Sequence, residues 1–281
     1  MAVFFLFRLK VFRSSQNSLF GEGVTRREFI EKLLQKKPSL DVHKGYIWHI
    51  GNISEIDDEG LLFAAGKTTI SGKEKYDEKS GDFLEIYDEE SPFTYAIYDK
   101  KLGVLAITPK SKLAANPRSI VRNIEKIMNS DSYTKDNEVR IEIEEIPDPD
   151  DFIKQLYAAY AVVGFQMEFS EPNPFDVERD FHKPMESLLG AAGGDKGVTK
   201  IAGEDLNRDT LEKLSRSVAS VGNDVSARIR WNKGEKPVTK HLKGDLASFQ
   251  VENPEAPILE QAKQILDMLR ATYNRIRRAI D

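Results

Sequence analysis

The chain contains no cysteine among its 281 residues. Disulfides, thiolate zinc sites and a cysteine nucleophile are therefore excluded. Histidine occurs only four times, at His43, His49, His182 and His241. No two of these stand four apart around an acid, which rules out the helical two-histidine zinc motif. No serine sits in a Gly-x-Ser-x-Gly context, so sequence alone proposes no catalytic triad. No apolar run reaches the length needed to span a bilayer. The apolar first residues have no basic region before them, Arg8 and Lys10 interrupt them, and no small-residue cleavage site follows. That stretch reads as a strand rather than a signal segment, and the expected location is cytoplasmic.

What is present is a polar, acidic composition: 40% apolar residues, 31% charged residues and a net charge of −5. The isoelectric point is about 5.6. A soluble globular chain of this length accommodates two domains. An acidic protein does not coat nucleic acid with its whole surface, so any such contact has to be local.

Periodicity predicts an α+β fold with mainly antiparallel sheets. In residues 3–13, Val3, Phe5, Phe7, Leu9 and Val11 alternate onto one face of a strand. Residues 25–36 read as a helix capped by Thr25, and residues 117–129 as a helix with proline at its first turn. Strands are predicted over 45–53, 60–71, 82–87, 93–98 and 103–108. The polar stretch 129–138 reads as a linker between domain 1–133 and domain 134–281. The second domain reads as a variant ferredoxin-like unit: a β-α-β segment over 139–169, a helix over 175–189, a glycine-rich loop over 190–203, a helix over 207–221, a hairpin, and a long closing helix over 257–280.

Against the acidic background, residues 225–243 hold six cations (Arg228, Arg230, Lys233, Lys236, Lys240 and Lys243) and one carboxylate, Glu235. Two-residue alternation puts Val225, Ala227, Ile229 and Trp231 on the core side of the hairpin. Arg228, Arg230, His241 and Lys243 then share the open side, and Lys233 and Lys236 stand at the tip. Forked guanidinium donors and lysine point charges are what a phosphate backbone requires. A solvated sheet face is the structural alternative. A third reading docks the hairpin on residues 74–90, which carry eight carboxylates and two lysines.

Other motifs fall short. Gly66-Lys67-Thr68 follows Gly60 by five intervening residues where a phosphate loop has four, and strand continues after it. The glycines of 190–197 follow a helix, the wrong context for that loop. Asp99-Lys100-Lys101, with Asp82 or Asp88 upstream, matches the letters of a restriction-type nuclease but falls at a hairpin turn. Asp148, Asp150 and Asp151 are explained by helix capping. Arg270, Arg275, Arg277 and Arg278 suit the dipole at the end of the last helix. No metal site and no cofactor is expected, and the catalytic residues of any reaction are unknown.

The N-terminal apolar strand, the 93–108 hairpin, the helix around 119–128 and Pro172-Asn173-Pro174 together give a layout that resembles uncharacterised bacterial proteins encoded in phage-defence or mobile-element islands. The resemblance implies a defence accessory or effector that acts with nucleic acid or a partner protein, and it transfers no functional residue. The expected function is binding of DNA or RNA phosphates through Arg228, Arg230, Lys233, Lys236, Lys240, His241 and Lys243. The alternatives are a metal-dependent nuclease or toxin-like effector, and an assembly subunit. Self-association through the C-terminal helix is part of the last.

Overall fold

Strand β1 (Ala2–Arg13) is buried on both faces, which is why its sequence is almost continuously apolar. Phe7, Leu9 and Val11 point into one core, and Phe4 and Leu6 into a second. The computed structural model describes residues 1–13, 25–43, 45–170, 188–189, 191–194, 196–242, 244–252 and 257–278. After β1 come α1 (Arg26–Gln35), β2 (Ser39–His43), β3 (Tyr46–Asp57), β4 (Gly60–Asp77), β5 (Asp82–Glu90), β6 (Phe93–Asp99) and β7 (Val104–Ile107). Then follow α2 (Pro117–Ser130), α3 (Ser132–Asp136), β8 (Val139–Glu145), α4 (Asp150–Ala158), β9 (Ala161–Ser170) and β10 (Lys196–Ala202). The chain closes with α5 (Arg208–Ser220), β11 (Val225–Arg230), β12 (Val238–His241), β13 (Ser248–Val251) and α6 (Ile258–Arg277).

The fold is mixed α+β with two antiparallel sheets. The larger has the order β13-β1-β7-β6-β4-β3-β2, with β5 paired to β4 and β8 to β1. Strands β13 and β8 follow one another along the same edge of β1, at residues 2–5 and 7–13. The smaller sheet has the order β10-β9-β11-β12. One face of the large sheet buries α1 through Phe29, Ile30, Leu33 and Leu34, and α2 through Ile120, Val121, Ile124, Ile127 and Met128. Its other face shares a core with α4, α5, α6 and the inner face of the small sheet.

Helix α6 turns Ala262, Ile265, Leu266, Leu269, Tyr273 and Ile276 into that core. The apolar stripe considered for self-association is thus buried within the chain. Ion pairs fix its orientation. Arg270 donates Nε–H to Asp99 Oδ2 at 2.6 Å and Nη1–H to Asp57 Oδ2 at 3.0 Å. Arg275 reaches Asp148 and Asp150, each at 2.6 Å, at the entrance to α4. Asp150 also takes Arg216 of α5 at 3.0 Å. Desolvation opposes ionisation of Asp57, but hydrogen bonds from Lys263 and Arg270 outweigh it and hold the carboxyl well below the usual carboxylate range.

Several expectations change. Residues 129–138 are not an open linker: Asp131 caps α3, and Asn129 exchanges hydrogen bonds with the backbone of Ile141 at 2.7 and 2.8 Å. The 133/134 boundary falls inside α3, and β8 and β13 beyond it pair with β1. Strands β8 and β9 flank α4 in the expected order, yet β8 enters the large sheet and β9 the small one. The glycine-rich loop gives way to β10, because Gly197, Thr199 and Ile201 alternate inward while Lys196, Val198 and Lys200 alternate outward. Arg270 and Arg275 make tertiary ion pairs as well as complementing the helix end. Of the helix expected over 175–189, residues 175–187 lie outside the described residues.

Replacing Asp99 tests the α6 anchor. Asp99 is fully buried and also accepts the Leu102 N–H at 2.6 Å. Asp99→Ala leaves Arg270 and that amide without this acceptor, and is expected to lower stability by about 3 kcal/mol in urea unfolding. An unchanged midpoint would show that the pair does not hold the helix.

Candidate nucleic-acid interface

Among the described residues, helices cover one face of the small sheet only. Val162, Phe165, Met167, Val225, Ala227 and Ile229 are buried against α4 and α5, and the opposite positions alternate outward. Strand register assembles the outer face row by row. One row runs Lys200, Gln166, Ser226, His241, and the next runs Ala202, Gly164, Arg228, Thr239. Arg230 stands opposite Ala161 beyond a register shift. Arg228 and Arg230 are thus on one strand face, with α-carbons ~6.6 Å apart along the strand.

Gly164 gives Arg228 its path. The arginine stem crosses that glycine, its Cβ, Cγ and Cδ 3.5 to 3.7 Å from where a side chain would begin. The stem thus lies over β9. Arg228, Arg230, Lys200, Lys233 and Lys236 form no ion pair among the described residues. The Nε of Arg230 is sequestered with no acceptor among the described residues.

Acids near the hairpin are committed elsewhere or stand off, and the exposed Glu168 lies on the outer face of β9 opposite Val198. Glu235, the one carboxylate of the basic segment, closes the hairpin turn: it accepts from the Asn232 backbone at 3.2 Å and side chain at 2.8 Å. Gly234 takes the left-handed conformation that this turn requires (φ 82°). His241 lies 3.8 Å from Asp224. On β10, Lys196 approaches Glu144 and Glu142 at 3.5 and 3.8 Å, so it is not free in the way Lys200 is.

Of the seven residues singled out from sequence, Arg228, Arg230 and His241 share the outer face, and Lys233 and Lys236 occupy the exposed tip. Lys240 does not join them. It pairs with Ala227, on the opposite face, and its Nζ sits 5.7 Å from the centre of the Trp231 ring. Trp231 is not a core residue: it lies past the end of β11, where alternation no longer applies, and is 38% exposed. Lys243 lies outside the described residues. Sequence reading missed Lys200 and Gln166. The signal for Lys200 was the Lys-x-Val-x-Lys alternation of β10, obscured by flanking glycines.

Of the carboxylates in the nuclease-like letters, Asp99 is engaged with Arg270 and Asp88 approaches Lys73 at 3.7 Å; the capping acids Asp148 and Asp150 hold Arg275. Among the described residues, no group of three or more His, Asp or Glu side chains is arranged to hold a metal ion. No helix of the described residues is long and apolar enough to cross a membrane. No family model and no curated protein matches this chain.

The outer face depends on β10 staying in register. Gly197 lies under the ring of Phe169, whose Cζ is 2.2 Å from the position a Cβ would take. Gly197→Ala must displace a ring that is 6% exposed, and is expected to cost about 2 kcal/mol in urea unfolding. Wild-type stability in that variant would mean that Phe169 does not pin the edge strand.

Proposed function

We propose that this chain is a nucleic-acid-binding protein that contacts the phosphate backbone of DNA or RNA with the outer face of its small sheet. The observation that carries this reading is the state of Arg228 and Arg230. They stand two apart on one sheet face and form no ion pair among the described residues, in a molecule whose Arg216, Arg270 and Arg275 are all paired. Lys200 extends the cationic row across β9 and β10, and Lys233 and Lys236 extend it beyond the strand ends.

Guanidinium and ammonium groups on a flat sheet read charge and spacing rather than base edges, so the expected binding is largely independent of sequence. The reading is non-enzymatic, because Asp99, the acid at the centre of the nuclease-like letters, is spent on Arg270. On the layout resemblance noted above, the setting we propose is an accessory or effector role in bacterial anti-phage defence.

Fluorescence anisotropy with a labelled single-stranded oligonucleotide across a salt series tests the binding. Four phosphate contacts predict a log–log salt slope of about −3, roughly a 50-fold loss of affinity between 50 and 200 mM salt. Arg228→Glu with Arg230→Glu should cost at least tenfold in affinity and flatten the slope by about 1.4. Binding that ignores salt, or that survives the double reversal unchanged, would overturn the proposal.

A further inference from the structure

Strand β4 is twice as long as its sheet requires. Residues 60–68 are paired within the large sheet with β3 and β6, while residues 69–77 pair only with β5. The result is a two-stranded ribbon ~30 Å long that leaves the body of the protein. Two-stranded ribbons are marginal in water, and this one exposes large apolar side chains: Phe83 is 82%, Ile70 74% and Tyr87 69% accessible.

The two ribbon faces differ in charge. On one, Lys73 reaches Glu90 at 3.2 Å and Asp88 at 3.7 Å. On the other, Gly72 pairs with Tyr87, Tyr76 with Phe83, and Glu74 with Glu85. The Tyr87 ring lies across Gly72, and the Tyr76 and Phe83 rings are 5.1 Å apart. Glu74 and Glu85 are therefore cross-strand neighbours of like charge, an arrangement that disfavours the ribbon. Neither forms an ion pair among the described residues. An aromatic strip with uncompensated carboxylates calls for a flat partner that brings cations on apolar stems.

This chain carries such a surface. The outer face of the small sheet presents Arg228, Arg230 and Lys200, with the small Gly164 and Ala202 between them and the exposed Val198 and Glu168 in the row beyond Lys200. Resting on the reading of that face as an anion-accepting surface, we infer that the β4–β5 ribbon docks its Glu74/Glu85 face onto the outer face of the small sheet in a second copy of the chain. No described cation of the small sheet is ion-paired with a ribbon carboxylate of its own chain, so the second copy satisfies both surfaces. The contact is heterologous: two copies exchange ribbons in a closed dimer, or successive copies form an open chain. Ribbon and nucleic acid then compete for one face, and an oligonucleotide dissolves the assembly.

Light scattering in nucleic-acid-free buffer tests the inference. The wild type should exceed the 31.8 kDa monomer mass at least twofold at 50 mM salt and return to it at 1 M. Glu74→Lys with Glu85→Lys, and separately Arg228→Glu with Arg230→Glu, should each give monomers. Their equimolar mixture should form a one-to-one complex, since one variant keeps the basic face and the other the acidic ribbon. A monomeric wild type at low salt would overturn the inference. So would self-association that survives Arg228→Glu with Arg230→Glu, which would mean a ribbon-on-ribbon contact or another interface. Oligonucleotide anisotropy on the same samples separates the two ideas. Nucleic-acid binding by a strict monomer sinks the docking alone, and charge-dependent assembly without nucleic-acid binding sinks the functional reading alone.

Discussion

Helix α6 holds the two sheets in their arrangement, and it does so with arginines placed at two heights. Arg270 joins the ends of β3 and β6 through Asp57 and Asp99, and Arg275 joins the entrance of α4 through Asp148 and Asp150. Between them Leu269 and Tyr273 fill the shared core. Removing one charge from such a pair is far costlier than the pair is stabilising, so the helix register is tightly specified. Arg216 ties α5 to the same Asp150, which fixes the inner face of the small sheet. Once that face is committed, strand alternation leaves Arg228 and Arg230 no direction but outward.

The same constraint explains how charge is sorted. Lys10 is buried, and desolvation lowers its pKa while Glu144 opposes that shift; Asn223 accepts a further hydrogen bond from it at 2.8 Å. Inside the fold, cations meet carboxylates. On the outer face of the small sheet Arg228, Arg230 and Lys200 form no ion pair among the described residues, and at Glu74 and Glu85 of the β4–β5 ribbon the imbalance is reversed. A molecule with a net charge of −5 therefore carries a positive plane and a negative arm, each unneutralised by the other within one chain. A field arranged in this way favours charged partners and repels wrong ones.

Much of this was legible in the residues. Thr25 caps α1 and Pro117 opens α2 as expected, and β11 alternates as expected over Val225–Arg230. Local signals failed where distant contacts decide. Gly197 looks like a loop residue until Phe169 covers it, and Asp99 looks like a turn residue until Arg270 arrives from 171 positions away. Trp231 was assigned inward by extending a period past the end of its strand. The separation of β8 and β9 into different sheets has no local signature, because it depends on which strand β1 recruits. The exposed aromatics of the ribbon were read as ordinary strand, since alternation cannot say that nothing packs on either face.

Lys200, Lys233 and Lys236 ring the phosphate-accepting plane that we propose on Arg228 and Arg230. Lysine acylation read by mass spectrometry, with and without a saturating single-stranded oligonucleotide, tests it directly. These three lysines should be shielded by the oligonucleotide, while the exposed Lys32 of α1, on the far face of the large sheet, is labelled equally in both states. Equal labelling of all four lysines would contradict the account.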